Sequence, residues 1–196
     1  MHSIIFATNN THKVAEIRSV LGNRFEIKSL SEANIHVEIP EPHDTLEKNA
    51  TEKSNFIFQL TGQDCFSEDT GLEVEALNGE PGVRSARYAG EEGNAEKNID
   101  KLLFNLSGQS NRTAQFKTVI SLMLDGKEFQ FTGICKGEIT HQKKGSMGFG
   151  YDAVFIPTGA EETFAQMTID QKNQFSHRKK AAQLFIDFLK NYHGQD

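Results

Sequence analysis

Apolar positions along the chain change their spacing several times, and each change marks an element. The run Ser3 to Ala7 predicts a short buried strand, and Val14, Ile17, Val20 and Leu21 fall at helical spacing over Lys13 to Leu21, with Gly22 as the stop. Phe25 to Leu30 predicts a second strand, and Val37 to His43 an extended, proline-interrupted loop carrying Glu38 and Glu41. A second helix starts at Asp44 or Thr45, with Asp44 and Glu47 at capping-box spacing, and runs to about Leu60 before Gly62. Its apolar face holds Ala50, Ser54, Ile57 and Phe58, with Lys53 close beside it. The apolar run into Cys65 to Leu72 predicts a strand, and Leu72, Val74 and Ala76 continue by alternation to the tight turn Asn78-Gly79. Pro81 to Gly90 reads as an irregular loop. Glu96 to Leu106 is an amphipathic helix with Ile99, Leu102, Leu103 and Leu106 inward. Two long strands follow, Thr113 to Leu124 and Glu128 to Thr140, joined by Asp125-Gly126, then an apolar strand over Ala153 to Ile156. Thr168 to Gln174 is a short helix, and Ser176 opens a last helix through Asn191 with Ala181, Leu184, Phe185, Phe188 and Leu189 as its buried stripe. Early βα units with a late long hairpin predict an α/β fold around a mixed, strongly twisted sheet flanked by helices.

Composition narrows the class. At 196 residues, 37% hydrophobic and 24% charged, the chain suits a globular domain with ample core and has no apolar run approaching a membrane span. Its start lacks the basic region and long apolar stretch of a signal peptide. Cys65 and Cys135 are far apart and outside any C-x-x-C pattern, which speaks against zinc and against a disulfide framework, and fits a reducing cytoplasm. The net charge of -6, from 21 Lys+Arg against 27 Asp+Glu, speaks against a nucleic-acid partner.

Three stretches carry candidate chemistry. Glu68-Asp69 places two adjacent carboxylates before Thr70-Gly71; they fit either a solvated acidic turn or a site at a sheet edge with a neutralising cation such as Mg²⁺. Thr8-Asn9-Asn10-Thr11-His12 joins a strand to a helix N-terminus, whose N–H groups and dipole suit a phosphate, and Lys13 in that first turn is a cation where the dipole prefers an anion. His177 and Arg178 repeat this misplacement at the last helix. Gly148-Phe149-Gly150 fits either a bulge whose Phe is core or a turn that lets the aromatic ring stand exposed beside a ligand.

Together Thr8-Asn9-Asn10 with Lys13, Glu41, Asn49-Ala50 with Lys53, Ser67 to Leu72, Pro81-Gly82 with Ser85 to Tyr88, Gly148 to Asp152 and Ser176-His177-Arg178 resemble the inosine triphosphate pyrophosphatase family over nearly the whole chain. The resemblance implies a single elongated domain of two lobes with the active site in their cleft, a homodimer, Mg²⁺ dependence, and cleavage of ITP, dITP and XTP to monophosphate and pyrophosphate. It implies that Thr8, Asn9, Asn10, Thr11, His12 and Lys13 hold the triphosphate with support from Lys53. Glu41 and Asp69 match its metal positions, Asp69 also its proposed base, and Thr70 a substrate contact. Phe149, Gly150, Tyr151, Asp152, Lys172, His177 and Arg178 match its nucleoside pocket. The sequence departs from the pattern at Lys48, where an acidic residue is usual, and at His43, where Gly is common. A nucleotide sensor without catalysis, a structural or RNA-interacting protein, and a related pyrophosphatase for pyrimidine or modified nucleotides are the alternatives.

Overall fold

The structure, a computed structural model, describes residues 3–21 and 25–192. In chain order these form β1 (Ser3–Phe6), α1 (Thr11–Leu21), β2 (Glu26–Ser29), α2 (Leu46–Thr61), β3 (Cys65–Val74), β4 (Pro81–Gly82), α3 (Ala95–Asn105), β5 (Thr113–Leu124), β6 (Lys127–Ile139), β7 (Phe155–Pro157), α4 (Ile169–Lys172) and α5 (His177–Asn191). The fold is α/β. Its sheet runs in the order β2-β1-β3-β5-β6-β7, with β4 added on β3. The sheet is mixed: β1 is parallel to β2 and β3, whereas β4 is antiparallel to β3 and β7 to β6. Among the described residues no helix is long and apolar enough to cross a membrane.

The chain divides into two compact units. The first comprises Met1–Asp69, Thr118–Gly133 and Arg178–Asp196. Alternation along β1 organises it: Ile4 and Phe6 pack with Val14, Ile17 and Leu21 of α1 and with Ala181, Ala182, Phe185 and Ile186 of α5. Ile5 and Ala7 face the other way, to Ile57 of α2, Leu30, Cys65 and Met123. Phe6 and Phe66 stack at 4.4 Å and Phe185 closes on Phe66 at 5.2 Å, so three large rings hold sheet and helices together. Thr45 caps α2 by accepting from the Lys48 N–H, and Gly62 ends it in the left-handed conformation (φ 65°), donating to Phe58 O.

The second unit comprises Thr70–Lys117 and Ile134–His177. Leu72 and Val74 of β3, Ile99 and Leu102 of α3, Phe116 of β5, Cys135 and Ile139 of β6, and Phe155 and Phe164 make its core. Asn94 caps α3 through Lys97 N–H at 3.0 Å. Thr168 caps α4 within a capping box closed by Gln171.

Several expectations shift. Glu68 and Asp69 lie in the middle of β3, an interior strand, and both are buried, so neither a sheet edge nor a solvated turn describes them. Pro81-Gly82 of the expected loop pairs with β3, because Gly82 and Pro81 oppose Leu72 and Glu73. The strand expected over 153–156 begins with a 3-10 turn, Asp152–Val154, and only Phe155–Pro157 pairs with β6. On α5 the buried stripe is rotated: Leu184 is 51% exposed, while Ala182 and Ile186 are buried. Gly22 lies outside the described residues.

Candidate active site

The loop after β1 leaves the sheet at the carboxyl end of two parallel pairings, the end at which α/β sheets bind ligands. Ala7 N–H donates to Phe66 O (2.8 Å) and Leu30 N–H to Thr8 O (3.1 Å), which ties Thr8 between the neighbouring strands. Asn9 Oδ1 accepts from Ser31 N–H at 3.0 Å. Asn10 Oδ1 accepts from the N–H groups of His12 (3.0 Å) and Lys13 (3.2 Å), so α1 carries its own cap and the anion-binding end is partly closed by Asn10. Thr11 and His12 are exposed on that first turn.

The period of two along β3 then separates the adjacent carboxylates. Cys65, Ser67 and Asp69 face α2: Ser67 Oγ donates to Ala50 O at 2.5 Å, and Asp69 Oδ1 accepts from Lys53 Nζ at 2.8 Å. Ala50, Lys53, Ser54 and Ile57, spaced three or four apart on α2, are all buried on that face. Lys53 Nζ also donates to Glu41 Oε1 at 2.8 Å, so one ammonium, 6% exposed, is shared by the two carboxylates. Burial works hardest against the Lys53 charge, but Asp69 and Glu41 outweigh it and hold the amine above its ordinary value. Burial also pushes the Asp69 carboxyl above its ordinary value, against the lowering pull of Lys53 and Lys13. A carboxylate so placed is the stronger base.

Phe66 and Glu68 face the other way, toward α1 and α5. Glu68 accepts from Arg178 in a fork, Oε2 from Nε at 2.5 Å and Oε1 from Nη2 at 2.7 Å, while Arg178 Nη1 bonds Glu16. Lys13 Nζ stands 3.3 Å from Glu68 Oε1. Desolvation opposes the Arg178 charge most, yet Glu68 and Glu16 keep the guanidinium above its ordinary value. The first-turn cations Lys13 and Arg178 therefore have protein carboxylates as their compensating anions. Composition and periodicity did not single out Glu16 or Glu68 for this part.

The second unit gathers Phe149, Tyr151, Asp152, Lys172 and His177. Asp152 Oδ2 accepts from Lys172 Nζ (2.7 Å) and from Phe149 N–H (3.0 Å). Lys172 Nζ lies 5.3 Å from the Phe149 ring centre and 5.2 Å from that of Phe164, and both Lys172 and Asp152 are buried. His177, 3% exposed, stacks on Phe116 at 4.6 Å. Tyr151 is buried and donates to Ser85 O at 2.8 Å. Gly150 has φ 60°, and Thr70 is half-buried where β3 enters this unit. Arg178, the residue after His177, has its guanidinium held by Glu68 and Glu16.

Gly148 shapes this cluster. Its φ is 75°, and a Cβ there would stand 2.1 Å from Asp152 Oδ2. Gly148→Ala is expected to push Asp152 off the Phe149 N–H and Lys172, raising the KM for the ligand that this cluster holds about 10-fold, about 1.4 kcal/mol, with a smaller change in kcat. Steady-state kinetics on the folded variant check this.

The profile of the Ham1 family matches residues 4–188. The dITP/XTP pyrophosphatase of Flavobacterium johnsoniae is 53% identical over 186 residues, covering 95% of this chain and 97% of its own. That of Flavobacterium psychrophilum is 52% identical over 188 residues, covering 96% and 99%. Among solved structures, the Ham1 protein of Staphylococcus aureus is similar with a TM-score of 0.87 and 39% identity, over 96% of this chain and 98% of the other. A match of this extent in both profile and fold means that the chain belongs to the Ham1 family.

Proposed function

We propose that the protein is a nucleoside-triphosphate pyrophosphohydrolase that converts ITP, dITP and XTP to the monophosphate and pyrophosphate, clearing non-standard purine nucleotides. The observation that carries this is the buried Lys53 shared by Glu41 and Asp69, with the charge of Lys13, from the first turn of α1, acting on Asp69. The names of the relatives, dITP/XTP pyrophosphatases, support it.

Magnesium fits the residues present. Two carboxylates converge on one cation with hard oxygen donors, and Mg²⁺ commonly takes one or two carboxylates together with waters and substrate phosphates. Glu41 and Asp69 would hold it; when bound it neutralises phosphate charge and polarises the phosphate oxygens. The protein's own groups then do the rest. Thr8 to Lys13 and Lys53 take the triphosphate and spread its charge, which is most of what phosphoryl transfer requires of a protein. Asp69 receives a proton from water as the water oxygen bonds the α-phosphorus and the bridging bond to the β-phosphate breaks, releasing pyrophosphate. Phe149, Gly150, Tyr151, Asp152, Lys172, His177 and Arg178 would take the nucleoside, with Thr70 a further contact. Arg178 enters by holding Glu68 next to Asp69. The same reading makes the protein a cytoplasmic homodimer, and light scattering checks the dimer.

A substrate panel tests the proposal. With Mg²⁺, pyrophosphate should appear with the monophosphate from ITP, dITP and XTP far faster than from ATP or GTP. In ¹⁸O-water the label should enter the monophosphate. Release of orthophosphate, or label in pyrophosphate, would overturn it.

A further inference from the structure

Glu41 lies in residues 35–43, which form neither helix nor strand, so the fold must hold it in another way. Alternation does part of this. Ile35, Val37 and Ile39 pack against Ile5, Ala7, Leu30, Ile57, Cys65 and Met123, while His36, Glu38 and Pro40 are exposed. The same parity turns Glu41 inward to Lys53 and leaves Glu38 outside. Pro40 and Pro42 restrict the residues before them, Ile39 and Glu41, to extended backbone.

The apolar anchors end at Ile39, and the next anchor is polar. Asn49, 3% exposed in the first turns of α2, binds one residue twice: its Oδ1 accepts from His43 N–H at 2.9 Å, and its Nδ2 donates to His43 O at 3.0 Å. A carboxamide carries both a donor and an acceptor, and here they match the backbone N–H and C=O of a single residue. The clamp closes two residues after Glu41, and Asn49 shares its helix with Lys53. We infer that Asn49 is a positioning residue that sets Glu41 for metal binding through the backbone of His43. This rests on the reading of Glu41 as a metal-binding carboxylate. Outer groups that orient ligands are worth about 10- to 100-fold in metal affinity, and the site tolerates displacements of only about 0.5 Å.

The test uses Mn²⁺ as probe, bound in the presence of an α,β-imido analogue of ITP and counted by electron paramagnetic resonance. Wild type, Asn49→Ala, Glu41→Gln and the double variant are compared. Asn49→Ala should weaken Mn²⁺ about 10-fold and raise the Mg²⁺ concentration for half-maximal activity in parallel. In the double variant it should add nothing to Glu41→Gln, because the clamp acts only through Glu41. Wild-type Mn²⁺ affinity in Asn49→Ala, or full additivity in the double variant, overturns the inference; wild-type affinity in Glu41→Gln overturns the metal reading beneath it. If Asn49→Ala does not fold, His43→Pro deletes the donating N–H from the other end of the clamp and is compared in the same way.

Discussion

Asp69→Asn is expected to lower kcat for ITP by about 10²-fold or more, the range associated with a general base. The substitution keeps the shape of the side chain on β3, so packing of Ser67 against α2 and the capping of that helix by Thr45 are untouched. What changes is charge. Lys53 loses the carboxylate at 2.8 Å and keeps Glu41 alone, and the position nearest the proposed water no longer accepts a proton at neutral pH. Single-turnover hydrolysis with saturating Mg²⁺ reads the chemical step directly. Near-normal turnover would remove Asp69 from the mechanism.

Arg178→Ala should be the most damaging single change to stability. Arg178 is 2% exposed and neutralises Glu68 and Glu16, themselves 3% and 7% exposed. Removing the cation leaves two buried carboxylates, Glu68 still facing Lys13, and breaking a buried ion pair in this way costs about 3–5 kcal/mol. That is a large share of the about 5–15 kcal/mol that holds a typical domain folded. Urea unfolding followed by circular dichroism measures it, and a loss under about 1 kcal/mol would show that the network contributes little. Arg178→Lys should recover only part of the loss, since an ammonium cannot make the two-pronged contact to Glu68.

The elements were legible because their spacing is set by burial on one side. β1, α1, α2, α3 and the β5–β6 hairpin fall within a residue or two of the periodic expectation. The polar interior was harder to read. Glu16 sits at the edge of the apolar stripe of α1, about 100° around the helix from Ile17 and about 40° from Val20, so periodicity gives little sign that it is buried. Arg178 did leave a trace. It stands three, four, seven and eight residues before Ala181, Ala182, Phe185 and Ile186, all buried, so the stripe read from Ala181 and Ala182 includes it. The place of Arg178 in the nucleoside pocket came from resemblance alone; its bonds to Glu68 and Glu16 engage three of the five guanidinium N–H donors. Asn49 was visible only as part of a motif, because its partner is backbone and leaves no pattern in side chains.

The Glu16–Arg178–Glu68 network joins residues 162 and 110 positions apart. On a ribosome, β1, α1 and β3 emerge long before α5, and domains that fold during synthesis do so from the N-terminus, at about 5–20 residues per second. The two carboxylates therefore wait, for seconds, without the cation that permits their burial. A nascent chain lacking its last helix must keep that face of β3 wet, so a message truncated before codon 178 should yield a chain that quality-control proteases clear.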